Sequence, residues 1–303
     1  MQPLNYLQTT GGIIWTAACV LLGFVFTWLA FYIINKIPAS WLCDYNETPS
    51  EELLTGKRVN YAGAGIIMSI IAAASLVFCR LQFNKGFDIY FIVFALIIMI
   101  TLMIAVCDIK YTIIPDQFTI AVALLSLLIS VYDLIRGFDI LHTVWWSPIA
   151  GAAIGAGVMI LIDVIGMIVY KKDGMGFGDV KLFAAIGLLT GFPGTIYAFV
   201  VSLITALIGF CIIIIAVRVI GSRSDRSYQS NSAESEELEE PADNTENESA
   251  ENDEENEDTT EAEDYRSGGS YLAFGPYIAI SLICYIVFYD FIHHIVNLYL
   301  SLF

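Results

Sequence analysis

Apolar stretches of about 20 residues recur along the 303-residue chain, each closed by a short polar break. A helix of that length crosses a hydrocarbon layer of ~30 Å. Eight such segments stand out, at 11–34, 61–79, 89–107, 118–135, 148–170, 180–192, 195–217 and 271–292. In lipid the backbone must satisfy its own hydrogen bonds, so the pattern predicts an all-α, polytopic membrane protein of about eight transmembrane helices. The sixth segment is short and bounded by glycine, which predicts a tilted or partly re-entrant arm. Met1–Thr10 holds no Lys or Arg and the run after it is about 24 residues long. A cleaved signal has a basic start and a shorter core, so the first segment reads as a retained span.

Composition sharpens this picture in two places. The chain is 57% hydrophobic, with a mean hydropathy of +0.70 and a net charge of −17. Residues 231–264 contain 17 of the 31 acidic residues and no basic one, which leaves fourteen acids to balance the 14 basic residues elsewhere. The membrane body is neutral, and no surface suited to nucleic acid is indicated. Residues 222–267 are polar, acidic and almost free of apolar side chains, which predicts a disordered loop. The chain thus divides into a membrane domain at 1–221, this loop at 222–267, and a last span with the C-terminus at 268–303. With the N-terminus outside, eleven of the 14 Lys and Arg fall in inner loops, as the positive-inside rule expects. The acidic loop is then cytoplasmic. Six cysteines are scattered singly without a C-x-x-C pair, so they read as small buried hydrophobes.

Two aspartates break the apolar pattern at chemically interesting points. Asp108 closes the third segment in "MIAVCDIKYTIIPDQFT", and Asp179 opens the sixth in "KKDGMGFGDVKL". By the charge count both lie at the cytoplasmic ends of their spans, where a carboxylate is cheaper than in the hydrocarbon centre. Helix packing can bring two such ends together despite their separation in sequence. Two carboxyls a few ångströms apart resist double ionisation, and such a pair can activate a water and protonate a leaving amine. Gly174, Gly176 and Gly178 before Asp179 predict a flexible loop. Gly176 and Gly178 allow conformations closed to other residues, so the loop can approach an extended substrate closely. Pro115 and Asp116 predict the start of the fourth helix, with Asp116 as its N-cap. Lys181 reads as a contact for headgroups or substrate. Asp163, inside the fifth segment, is expected to face protein or water rather than lipid.

"DIKYTIIPD" (108–116) followed by "GMGFGDVKL" (174–182) resembles the signature of the type IV prepilin peptidases, membrane aspartic proteases of the GxGD group. "FGPYIAI" (274–280) resembles the family's last-span motif. The resemblance implies that Asp108 and Asp179 are catalytic and that no metal or nucleotide is required. It also implies substrates that are prepilin-like precursors, with a short basic leader before a hydrophobic helix. Cleavage would occur at the cytoplasmic face of the inner membrane. Family members that also methylate the new N-terminus carry paired C-x-x-C motifs in the first inner loop; here residues 35–60 hold only Cys43. Methyltransferase activity is therefore not implied.

Other protease chemistries lack their parts. The three histidines, His142, His293 and His294, fall at the outer face, and neither H-E-x-x-H nor G-x-S-G occurs. The non-enzymatic alternative is a transporter or channel that uses Asp108, Asp163 and Asp179 as an ion path. Such proteins commonly show repeat symmetry between halves, and none is visible here.

Overall fold

The computed structural model describes residues 10–43, 53–54, 58–61, 63–82, 89–137, 144–170, 176–236, 273–292 and 294. Seven α-helices follow in chain order: α1 Thr10–Lys36, α2 Ala64–Gln82, α3 Ile89–Tyr111, α4 Asp116–Ile135, α5 Ser147–Tyr170, α6 Phe177–Glu236 and α7 Gly275–Val287. A short 3₁₀ turn, Ala39–Leu42, follows α1. No strand occurs among the described residues. The expected all-α, polytopic membrane architecture is the one observed. Six of these helices are long and apolar enough to cross a membrane, and α7 is a shorter apolar helix.

Helix α6 contains two spans. Its apolar part, Phe177–Ile215, is 39 residues long, and a straight helix of that length would reach about 58 Å. It breaks at Gly191, whose φ of 68° and ψ of −177° are open only to glycine, two residues before Pro193. The chain reverses there. Phe183 and Phe199 would lie about 24 Å apart along a straight helix, yet their rings meet edge to face at 6.0 Å. Backbone groups freed at the break find partners. Ser147 Oγ accepts from the Phe192 N–H at 3.1 Å, the Tyr285 hydroxyl donates to the Thr190 carbonyl at 3.3 Å, and Thr195 Oγ1 donates to the Gly191 carbonyl at 2.7 Å. Irregular backbone survives at membrane depth only with such support. With the two arms of α6 and with α7, the described residues hold eight apolar helical segments, and the first arm is the short one expected.

Helix α3 is the centre of the bundle. In its most apolar window 72% of residues are buried, against 11–39% for the other spans. It packs against α1, α2, α4 and α7, and it is apolar all round, as a helix enclosed by others must be. Ile97, Ile98 and Ile104 of α3 join Ile34, Leu76, Ile278 and Leu282 in the core. Close crossings elsewhere use small residues, since apolar solvent leaves packing as the main force between helices. Gly23 of α1 lies against the Ala73 backbone of α2. On α5, Gly151 and Gly155 face the backbone of Gly187 and Phe183 on the first arm of α6, so those two helices cross antiparallel in direct backbone contact.

One end of the bundle is tied by polar groups. Asn35 exchanges hydrogen bonds with Val59 in both directions at 3.0 Å. Arg58 donates to the carbonyls of Ile34, Ile37 and Leu53, capping the last turn of α1. Lys110 and Tyr111, at the end of α3, both donate to the Arg58 carbonyl.

The chain separates into two compact units. Met1–Ala206 with Ala273–Phe303 form one unit, and Leu207–Leu272 form another. Helix α6 runs to Glu236, so residues 222–236 of the segment expected to be disordered are helical; the rest of that segment lies outside the described residues. Of the six free cysteines, Cys19, Cys79 and Cys107 are buried as expected, Cys43 and Cys284 are half-buried, and Cys211 is exposed.

Candidate active site

Asp108 sits in the last turn of α3 and is 5% exposed. Its Oδ2 accepts a hydrogen bond of 2.7 Å from the Gly275 N–H, in the first turn of α7. The first N–H groups of a helix have no partner within it, and a helix N-terminus favours a negative group. Asp108 serves that role for α7 from 167 residues away. The fit is tight: a Cβ on residue 275 would lie 2.7 Å from Asp108 Oδ2 and 3.1 Å from its Cγ.

Asp179 lies in the first turn of α6 and is 9% exposed. Gly178, beside it, lies against Ile114 of the segment leaving Asp108, so the two carboxyls belong to one end of the bundle. Asp179 Oδ1 is buried without a hydrogen-bond partner among the described residues. Leaving such an atom unsatisfied costs about 1–3 kcal/mol, and a catalytic role is one reason such an atom is kept.

The segment between α3 and α4 makes a sharp exit from Asp108. Thr112 takes φ 54°, rare for a β-branched residue, and its N–H closes onto the Asp108 carbonyl at 2.8 Å. Ile113–Pro115 then run without helix into α4. Here the expected N-cap needs correction. Pro115, at φ −62° and ψ 127°, is the N-cap of α4 and no side chain caps it; Asp116 is already inside the helix. Proline presets an extended entry, and Asp116 is drawn elsewhere, to Lys181 Nζ at 2.8 and 2.9 Å. Lys181 engages this protein carboxylate, with the Phe177 ring 5.2 Å from its ammonium.

The glycines also act differently from the expectation. Gly178 is helical, and neither it nor Gly176 has a positive φ. What Gly178 supplies is proximity, because a Cβ there would meet the Ile114 Cβ at 3.0 Å. Gly176 is exposed, with open space where a Cβ would point. Gly174 lies outside the described residues, as do His142 and His293. Asp163 is half-buried on α5, facing neither lipid fully nor the core.

Two features escaped the sequence reading. Gly275 is one; its signal was the "FGPY" that opens the last span. The other is Asp133, fully buried near the far end of α4, which accepts 2.8 Å from the Tyr90 hydroxyl and acts electrostatically on Tyr285. Asp133 lies seventeen residues from Asp116, about 26 Å along the helix, so it belongs to the opposite end of the bundle. No group of three or more His, Cys, Asp or Glu suited to a metal occurs among the described residues.

Residues 93–214 match the family model described as the type IV leader peptidase family. That segment is similar to members of the family. Both Asp108 and Asp179 lie within the match, whereas Gly275 and the loop after α1 lie outside it. No curated protein and no solved structure matches the chain. The match supports a leader-peptidase-like protease, and six of the described helices are long and apolar enough to cross a membrane.

Proposed function

We propose that the protein is an aspartic endopeptidase in which Asp108 and Asp179 form the catalytic pair. It removes a short basic leader from prepilin-like precursors at the cytoplasmic face of the inner membrane. The observation that carries this reading is the burial of two carboxyls at one end of the bundle, one held by a backbone N–H and the other with an unpartnered oxygen. In the reaction one carboxylate takes a proton from water as the oxygen attacks the scissile carbonyl. The other, protonated, carboxyl polarises that carbonyl and its proton passes to the leaving amine. Gly275 occupies Asp108 Oδ2, so Oδ1 of each aspartate is left for water and substrate.

The cytoplasmic assignment rests on charge: Lys110 and Arg58 are joined at the aspartate end, and the inner loops carry most of the basic residues. The loop after α1 lacks the cysteine pairs associated with methylation, so the product is expected to leave with an unmethylated N-terminus.

Asp108→Asn and Asp179→Asn test the reading. Each keeps the size of the side chain but can neither share a proton nor act as a base, so each should abolish cleavage of a basic-leader peptide with insertion and abundance unchanged. Retention of more than about a tenth of parental activity by either, a barrier change under ~1.4 kcal/mol, would refute the two-aspartate mechanism.

A further inference from the structure

The Asp116–Lys181 pair joins the two aspartate motifs directly. Asp116 is eight residues after Asp108, and Lys181 is two residues after Asp179. Successive residues of an α-helix turn by about 100°, so Asp179 and Lys181 point about 200° apart around α6. Gly178 and Lys181, three apart, share a face. That face meets the segment leaving α3: Gly178 packs on Ile114, and Lys181 Nζ holds both oxygens of Asp116 at 2.8 and 2.9 Å. Asp179 lies on the opposite side of the same turn, where it is buried.

An acid in the first turn of a helix is well placed against the helix dipole, and Asp116 has that position in α4; Lys181 is the fifth residue of α6, just past its first turn. The pair is 32% exposed at both partners, and ion pairs so placed add little to stability. A structural role alone does not account for it.

We infer that Asp116 and Lys181 are positioning residues for the proteolytic reaction: their ion pair sets the rotation of the first turn of α6 and so aims Asp179 at Asp108. This rests on the aspartic-protease reading above. Misplacing a catalytic group by about an ångström costs on the order of a hundredfold in rate, so the consequence falls on turnover and not on substrate affinity.

A double-mutant cycle tests this on the full-length protein in detergent, with a peptide of basic leader followed by an apolar segment as substrate. Asp116→Asn and Lys181→Met should each lower kcat about tenfold or more, with KM within about threefold and the unfolding temperature nearly unchanged. The double variant should be no worse than the poorer single one, since the interaction can be lost only once. Lys181→Arg, which keeps the cation, should recover kcat to within about threefold of the parent. Additive losses, or losses confined to KM that depend on substrate charge, would make these residues substrate contacts and overturn the inference. The double variant leaves no unpaired charge, so it decides the matter if a single variant fails to insert: kcat within twofold of the parent also overturns it. Failure of the parent reading looks different. An active Asp108→Asn enzyme removes the aspartic mechanism itself, whereas additive losses in an enzyme that still needs Asp108 remove only the positioning role.

Discussion

Gly275→Ala should disable the enzyme by moving one carboxyl. The added methyl would start 2.7 Å from Asp108 Oδ2 and 3.1 Å from its Cβ and Cγ. Non-bonded carbon atoms rest at about 3.5–4.0 Å, so α7 and the aspartate must separate by roughly half an ångström to an ångström. Neither side gives easily. Asp108 ends the helix that four others enclose, and Pro276 stiffens the first turn of α7. The 2.7 Å hydrogen bond from Gly275 N–H would stretch beyond the ~3.2 Å limit of a good N–H···O contact. Its loss costs about 1.5–3 kcal/mol when the acceptor is charged, and the displaced carboxyl lowers the rate on the order of a hundredfold. The assay is single-turnover cleavage of a basic-leader peptide by the purified variant, alongside its thermal unfolding. Ile280→Ala, on a lipid-exposed position of the same helix, is the control and should leave the rate near the parent. Gly275→Ala within threefold of parental rate would refute the argument that α7 completes the site.

Other outcomes follow from packing and from the charged tail. Gly187→Ala places a methyl on the Gly151 carbonyl and should lower stability by about 1–3 kcal/mol in thermal unfolding, while Gly157→Ala on α5, with open space at its Cβ, should not. Asp133→Ala removes the acceptor of the buried Tyr90 hydroxyl and should also cost about 1–3 kcal/mol, yet protein that survives should cleave within a few-fold of the parent because the site is at the other end of α4. Replacing 222–267 with a short Gly/Ser linker should leave peptide cleavage within a few-fold; a collapse of activity in correctly inserted protein would give the acidic segment a part in substrate capture.

Much of the fold is legible because lipid leaves the backbone few choices. Apolar runs of spanning length can only be helices, and their ends follow from charges and turn residues. The reversal inside α6 is legible for the same reason: Gly191 and Pro193 interrupt a run too long for one crossing. The identity of the central helix is not. An all-apolar run suits both a helix bathed in lipid and one enclosed by other helices, so α3 looks no different in sequence from its exposed neighbours. Only the packing, with Ile97, Ile98 and Ile104 shut away from the surface, separates them.

The site divides along a similar line. Asp108 and Asp179 are visible because a carboxylate next to an apolar run is costly and therefore conspicuous. The reasons for their neighbours are long-range and leave little local trace. Gly178 reads locally as a licence for unusual backbone angles, but it is helical, and its lack of a side chain makes room for Ile114, 64 positions earlier. Asp116 reads as a cap, because an acid at a helix start usually is one; what redirects it is a lysine 65 residues away. Gly275 looks like a residue before a proline at the mouth of a span, and its role exists only because α7 docks its first N–H on Asp108. Each misreading assigned to local conformation what belongs to a contact between motifs. The motifs are accordingly better understood as three interlocking surfaces than as two acids with decoration: Gly275 at the start of α7 holds the Asp108 carboxyl, Lys181 of α6 holds that of Asp116, and Gly178 of α6 packs on Ile114 at the exit from α3. That arrangement explains why the residues flanking the aspartates are small, cationic or cyclic, and it makes substitutions there predictable as losses of rate before losses of fold.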